Sequence, residues 1–143
     1  MIRKILCATD GSHASDKAVA AAVDLASQAG ASLVFITVER VTPTTAARSA
    51  FWDSRVLDAA AAQTHGELAA AEAHARAAGL SRVECVTTQG NHVAEAIVAY
   101  AREGGFDHVV TGSVGRAGLA RALLGSVAAD VVAKAHCPVT VVR

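Results

Sequence analysis

Five short, nearly unbroken apolar runs recur along the chain, and each interval between two of them holds a segment of helical period. Ile2 to Ala8 is the first run. After it Val19, Ala22, Val23 and Ala26 fall at i, i+3, i+4 and i+7, one face of a helix read from Ser15 to a stop at Gly30. Leu33 to Val38 is the second run, and an alanine-rich helix from about Ser54 to Ala78, closed by Gly79, leads to the third, Arg82 to Thr88. Gly90-Asn91 introduces a helix whose Val93, Ala96, Ile97 and Tyr100 share a face, and Gly104-Gly105 closes it before the run Asp107 to Thr111. A last helix near Gly125-Ser126 is expected to bury Val127, Val131 and Ala135, with Ala128 and Val132 widening the stripe; Pro138 then opens the final run, Val139 to Val142.

Strict alternation of this kind predicts an α/β fold: a five-stranded parallel sheet with helices on both faces, because parallel strands need crossovers and those crossovers are right-handed. Strands buried on both faces read as continuous rather than alternating apolar runs, as these do. In a sheet of order 3-2-1-4-5 the loops after strands one and four become neighbours at the carboxyl edge, where such sheets bind ligands. The one long irregular connection, Glu39 to Asp53 with its Thr42-Pro43-Thr44-Thr45, reads as a flap.

At 143 residues the chain suits a single domain, residues 1–143, and 52% hydrophobic residues suffice for one core. Thirteen Lys and Arg balance thirteen Asp and Glu, which removes the basic footprint of a general nucleic-acid or anionic-membrane binder. No stretch reaches bilayer-spanning length and the first apolar run is too short for a secretory signal, so a soluble cytoplasmic protein is expected. Cys7, Cys85 and Cys137 lie in or beside strands without metal-ligand spacing and read as reduced core thiols. His65 and His74 stand nine residues apart on one helix, about 180° around it, and so cannot share a metal. His13, His92, His108 and His136 occur singly and are assigned surface or capping roles.

The loop after the fourth strand, Gly112-Ser113-Val114-Gly115-Arg116, stands nine residues before Gly125-Ser126, giving G-x2-G-x9-G-S. Glycines let backbone N–H groups approach phosphate oxygens, and the start of the next helix adds donors and a positive dipole end. Arg116 adds a fork of donors and Ser126 a hydroxyl, so a polyphosphate is the natural occupant. A G-x-x-G pair alone reads equally well as a turn; the added Gly125-Ser126 is what favours phosphate.

Ile5-Leu6-Cys7-Ala8-Thr9-Asp10-Gly11-Ser12, Gly112 to Gly115 through Gly125-Ser126-Val127, and His136-Cys137-Pro138-Val139 together resemble the universal stress protein family, in its ATP-binding branch, over essentially the whole chain. The resemblance implies a Rossmann-like fold, similar to that of the adenine nucleotide alpha hydrolases, and a site for ATP with Mg2+ or Mn2+ held mainly by the phosphates. Ala8, Thr9 and Asp10 would line the adenine and ribose side, Asp10 facing a ribose hydroxyl or hydrated metal, with a turn-forming role as its rival. Val38 would face adenine, while reading as core whether or not it touches a ligand, and Thr111 would neighbour the adenine. Gly112, Ser113, Gly115, Arg116, Gly125, Ser126 and Val127 would cradle ribose and phosphates. Family members often carry His or Arg where this chain has Val114, which bears on nucleotide choice. The resemblance further implies a homodimer through the final strand, Pro138 to Val142, and suits an open apolar edge that pairing with its copy would satisfy.

The sequence lacks G-x-x-x-x-G-K-[ST], and its pattern assigns no base for an attacking water, so no catalytic residue is assigned. The leading reading is a stress-response module in which ATP changes the order of the Arg116 to Leu124 loop or of the flap near Phe51-Trp52, and a regulatory partner protein reads that state. Slow ATP hydrolysis or self-phosphorylation on Ser113 or Ser126, and a nucleotide-free dimeric scaffold, are the alternatives.

Overall fold

The first apolar run becomes the middle of the sheet. The computed structural model describes residues 1–10, 13–40, 54–114 and 124–143. In chain order the elements are β1 (Lys4–Ala8), α1 (His13–Ala29), β2 (Ser32–Arg40), α2 (Ser54–Ala77), β3 (Val83–Gly90), α3 (Val93–Glu103), β4 (His108–Gly112), α4 (Ser126–Lys134) and β5 (Val139–Val142). All neighbouring strands are parallel and the order is β3-β2-β1-β4-β5, as expected. Cys7 of β1 lies opposite Phe35 of β2 on one side and Val110 of β4 on the other.

Because successive strand residues point to opposite faces, each continuous apolar run feeds two cores. Ile5, Cys7, Leu33, Phe35 and Val110 pack under α1 and α2, whereas Leu6, Val34, Ile36 and Val109 pack under α3 and α4. On the first face Ala18, Ala22 and Ala26 of α1 are fully buried, a row of small side chains that lets the helix approach the sheet over the bulky, fully buried Phe35.

Two stripes differ from the sequence reading. In α3 the fully covered residues are Ala94, Ile97, Val98 and Ala101, while Val93, Ala96 and Tyr100 are half-buried. That helix packs on β2, on β3 and sideways on α4, so its covered arc is turned toward two neighbours. In α4 Val132 is 49% exposed instead of widening the stripe. α4 ends at Lys134, so Ala135 caps it rather than extending its apolar face.

The end of the sheet that precedes the strands is tied by short contacts. The Asp107 carboxylate accepts the backbone N–H of Arg3 at 3.0 Å and of Lys4 at 3.1 Å. Lys4 Nζ donates to the Gly104 carbonyl at 2.6 Å and stands 4.4 Å from the centre of the Phe106 ring. α1, α2 and α3 all stop at this end on glycines in the left-handed region, Gly30, Gly79 and Gly105, with φ of 65°, 90° and 66°. Gly104 is constrained differently. Its φ is an ordinary −82°, but a Cβ there would stand 2.5 Å from Phe106 Cε2.

Candidate functional site

At the opposite end, where β1, β2 and β4 finish, the chain encloses a cleft of about 500 Å3. Its floor is the ends of the strands, and its walls come from four helices, α1 contributing Ser15. β1 supplies Ala8, and Thr9 and Asp10 follow; β2 supplies Ile36 to Arg40, and β4 supplies Thr111 and Gly112 with Ser113 and Val114 after them. α4 contributes Ser126, Val127 and Ala128 behind Gly125, α3 contributes Val93 and Ile97, and α2 contributes Thr64 and Glu67.

The floor is held by hydrogen bonds among buried polar groups, as low-dielectric sites require. Thr9 N–H donates to the Ile36 carbonyl at 2.9 Å, and Thr37 Oγ1 donates to the Thr9 carbonyl at 3.0 Å. The Thr9 and Ser15 hydroxyls are hydrogen-bonded to each other, and Ser15 Oγ also accepts the Asp10 N–H at 3.3 Å. The turn out of β1 is thereby fastened both to β2 and to α1. After β4, Ser113 N–H donates to the Val142 carbonyl at 2.8 Å and the Ser113 carbonyl accepts the Gly125 N–H at 2.7 Å. One residue thus joins the end of β5 to the start of α4.

Gly125 is the N-cap of α4, with φ −61° and ψ 156° and no side-chain cap. The first bond inside the helix runs from Ala129 N–H to the Gly125 carbonyl at 3.0 Å. The N–H groups of Ser126, Val127 and Ala128 therefore have no partner within the helix, and all three residues line the cleft. This end of the cleft offers donors and a positive dipole end, the chemistry that receives an anion.

Of the residues singled out in the sequence, Ala8, Thr9, Asp10, Val38, Thr111, Gly112, Ser113, Gly125, Ser126 and Val127 all line this one cleft. Gly115 and Arg116 lie outside the described residues, as do most of the Arg116 to Leu124 loop and of the Glu39 to Asp53 flap with Phe51 and Trp52; Glu39 and Arg40 belong to β2. Sequence reasoning missed Ser15, Thr37, Thr64 and Glu67. Thr37 was the one with a signal, a hydroxyl interrupting the apolar run Leu33 to Val38.

Burial favours the neutral form of Cys7, Cys85, Cys137 and His108. Cys7 is fully enclosed and its thiol is pushed up to about 12; Cys85, facing Glu72 from β3, rises to about 11, and Cys137 rises as well, all three being free thiols. His108, given a surface or capping role in the sequence, is instead buried in β4. Its Nε2 is 2.7 Å from Thr140 Oγ1 of β5, Nδ1 is buried without a partner, and burial holds the ring below its ordinary value. Among the described residues no group of three or more His, Cys, Asp or Glu is placed to hold a metal ion, and no helix is long and apolar enough to cross a membrane.

The model of the family described as "Universal stress protein family" matches residues 1–143. The chain belongs to the universal stress protein family. It is similar over its whole length to universal stress protein YxiE of Bacillus subtilis, 34% identical over 148 residues and covering 100% of each chain. Universal stress protein MJ0531 of Methanocaldococcus jannaschii is 50% identical over 50 residues, which span 35% of this chain and 29% of that one. Among solved structures, a universal stress protein in complex with cAMP superposes with a TM-score of 0.77 at 28% identity, covering 99% of this chain and 97% of that one. Universal stress proteins thus share the parallel α/β sheet seen here, and that member carries an adenine nucleotide.

Proposed function

We propose that this chain, as a single cytoplasmic domain, binds ATP in the cleft at the ends of β1, β2 and β4 and acts as a nucleotide-dependent regulatory module of the stress response. The observation that carries the reading is the unsupported first turn of α4, open on a cleft of about 500 Å3 within the range of small-ligand sites. The triphosphate would lie against Gly112, Ser113, Gly125, Ser126 and Val127, joined by Gly115 and Arg116, and the base against Val38, Ala8, Thr9 and Thr111. Asp10 would face a ribose hydroxyl or the hydrated Mg2+ or Mn2+ that the phosphates carry. The cAMP complex of a relative supports an adenine ligand for the same fold. Dimerisation would use β5, the edge strand, pairing with its copy across a two-fold axis; a regulatory partner protein would then read the occupied state.

The test is Gly125→Asp, measured by isothermal titration with Mg-ATP beside thermal melting. The backbone angles at Gly125 suit any L-residue, and Asp is a favoured N-cap, so the fold should keep or slightly gain stability. Its carboxylate would meanwhile stand where phosphate is expected. Micromolar binding by the parent chain, lost in a variant that melts no lower, is the expected result; no binding by the parent chain would leave a nucleotide-free scaffold as the function.

A further inference from the structure

The pairing of β1 with β2 is continued past its last partners, Ala8 and Ile36, by side chains. Thr9 N–H donates to the Ile36 carbonyl, and beyond it Thr37 Oγ1 takes over, donating to the Thr9 carbonyl at 3.0 Å. The Thr9 hydroxyl meets Ser15 Oγ of α1, and Ser15 Oγ accepts the Asp10 N–H at 3.3 Å. A relay of hydroxyls thus runs from β2 through the end of β1 to the backbone of Asp10, where β1 walls the cleft.

Thr9, Ser15 and Thr37 are 8%, 4% and 8% exposed. Successive strand residues alternate in face, so Thr37 lies with Leu33 and Phe35 on the side covered by α1 and α2. Valine has the shape of threonine and no polar atom to desolvate, so packing alone favours valine there. What the hydroxyl adds is direction, because a bond to one carbonyl fixes where the chain leaves β1. A wall held in place before the ligand arrives avoids the cost of ordering it on binding.

Building on the nucleotide reading above, in which Asp10 faces a ribose hydroxyl, we infer that Thr37 is a positioning residue for Asp10 and thereby sets a preference for ribose over deoxyribose nucleotides. It acts through the backbone of Thr9 and Asp10. The α4 donors are joined through Ser113 to the end of β4, two strands or about 10 Å from β2, so the loss of this hydroxyl leaves the phosphate end of the cleft as it is.

Isothermal titration of ATP, 2′-deoxy-ATP and 3′-deoxy-ATP, each with Mg2+, into the parent chain, Thr37→Val, Thr37→Ser, Asp10→Ala and the double variant Thr37→Val with Asp10→Ala tests the assignment. The parent chain should prefer ATP to one of the deoxy analogues by at least about tenfold, because a site that bonds a hydroxyl rejects the analogue lacking it. Thr37→Val should bring that preference to about unity, with ATP weakening and the deoxy analogue holding, and Thr37→Ser, which keeps the hydroxyl, should restore it. Asp10→Ala should remove the preference by itself, and adding Thr37→Val should change the ratio no further, as for a residue that acts through another. Retained binding of the deoxy analogue shows in the same experiment that Thr37→Val is folded. Should that variant melt below the assay temperature, Ser15→Ala breaks the relay at its next link and is expected to give the same fall. An unchanged preference in the folded variant, a preference that survives Asp10→Ala and falls on adding Thr37→Val, or no preference in the parent chain overturns the inference while leaving the nucleotide site standing. Equal loss of all three nucleotides by folded Thr37→Val overturns it too, since the hydroxyl then supports the whole cleft. If the parent chain binds none of the three, the nucleotide reading itself fails and this assignment with it.

Discussion

Gly104→Ala sets two physical rules against each other. At φ −82° and ψ −2° an alanine adopts the backbone without strain, so the loss of unfolded-state freedom alone predicts stabilisation of about 0.4–1 kcal/mol. The new Cβ, however, would stand 2.5 Å from Phe106 Cε2, 2.9 Å from Cδ2 and 3.1 Å from the Tyr100 carbonyl. Phe106 is only 3% exposed and packs in the core beneath α3 and α4, so the ring has little room to yield. Overpacking of this kind costs about 1–3 kcal/mol, which exceeds the entropic gain and predicts a net loss of about 1–2 kcal/mol. At this chain length that is roughly 2–4 °C in Tm per kcal/mol. Urea unfolding of the parent chain, Gly104→Ala, Phe106→Leu and the double variant isolates the cause. If the clash decides, the double variant loses about 1 kcal/mol less than the two single losses added together. A stabilised Gly104→Ala, or additivity within about 0.5 kcal/mol, would refute the packing argument.

Two further outcomes follow from buried titratable groups. The unfolded chain protonates His108 near its ordinary value of 6.5, whereas the folded protein resists the proton to lower pH because the ring is buried, with the Asp107 charge opposing only in part. Stability from this residue is therefore fully present above about pH 6.5 and is lost as pH falls through the window below it. Melting from pH 8 to pH 5 should show a shallower decline in His108→Gln, and an equal decline would remove His108 as the cause. Cys7, fully enclosed and with its thiol at about 12, should resist a thiol reagent in the folded protein under conditions where Cys137 reacts; peptide mapping of labelled protein that finds Cys7 modified first would contradict the enclosure.

Strand and helix order was legible in the sequence because the central strands β1, β2 and β4 are largely buried on both faces and each of the first three helices is closed by glycine, so apolar runs and stops coincide with real boundaries. The donor end of the cleft was legible for the same reason, since close backbone approach needs glycine at fixed spacing. The β2 end was not. Which residues of α2 reach the cleft depends on the helix's rotation, and a helix that carries alanine all round, as at Ala69, Ala70, Ala71 and Ala73, gives almost no rotational information. Val132 misled because apolar identity says nothing of whether a neighbour exists to cover it. His108 misled for the opposite reason: a single imidazole gives no hint that Thr140 of the adjacent strand will meet it.

The seam between β1 and β4 has a kinetic meaning. It pairs Ile5 with His108, so the middle of the sheet closes only by joining residues about a hundred positions apart, the kind of distant pairing that slows folding. During synthesis β1, β2 and β3 can assemble with α1 and α2 well before β4 has left the ribosome. Until then Leu6 lacks the neighbours Val109 and Val131 that later pack with it, and one edge of β1 stays unpaired. The half-built sheet is therefore the stage of this protein's life most exposed to aggregation, and the stage at which a chaperone would find it.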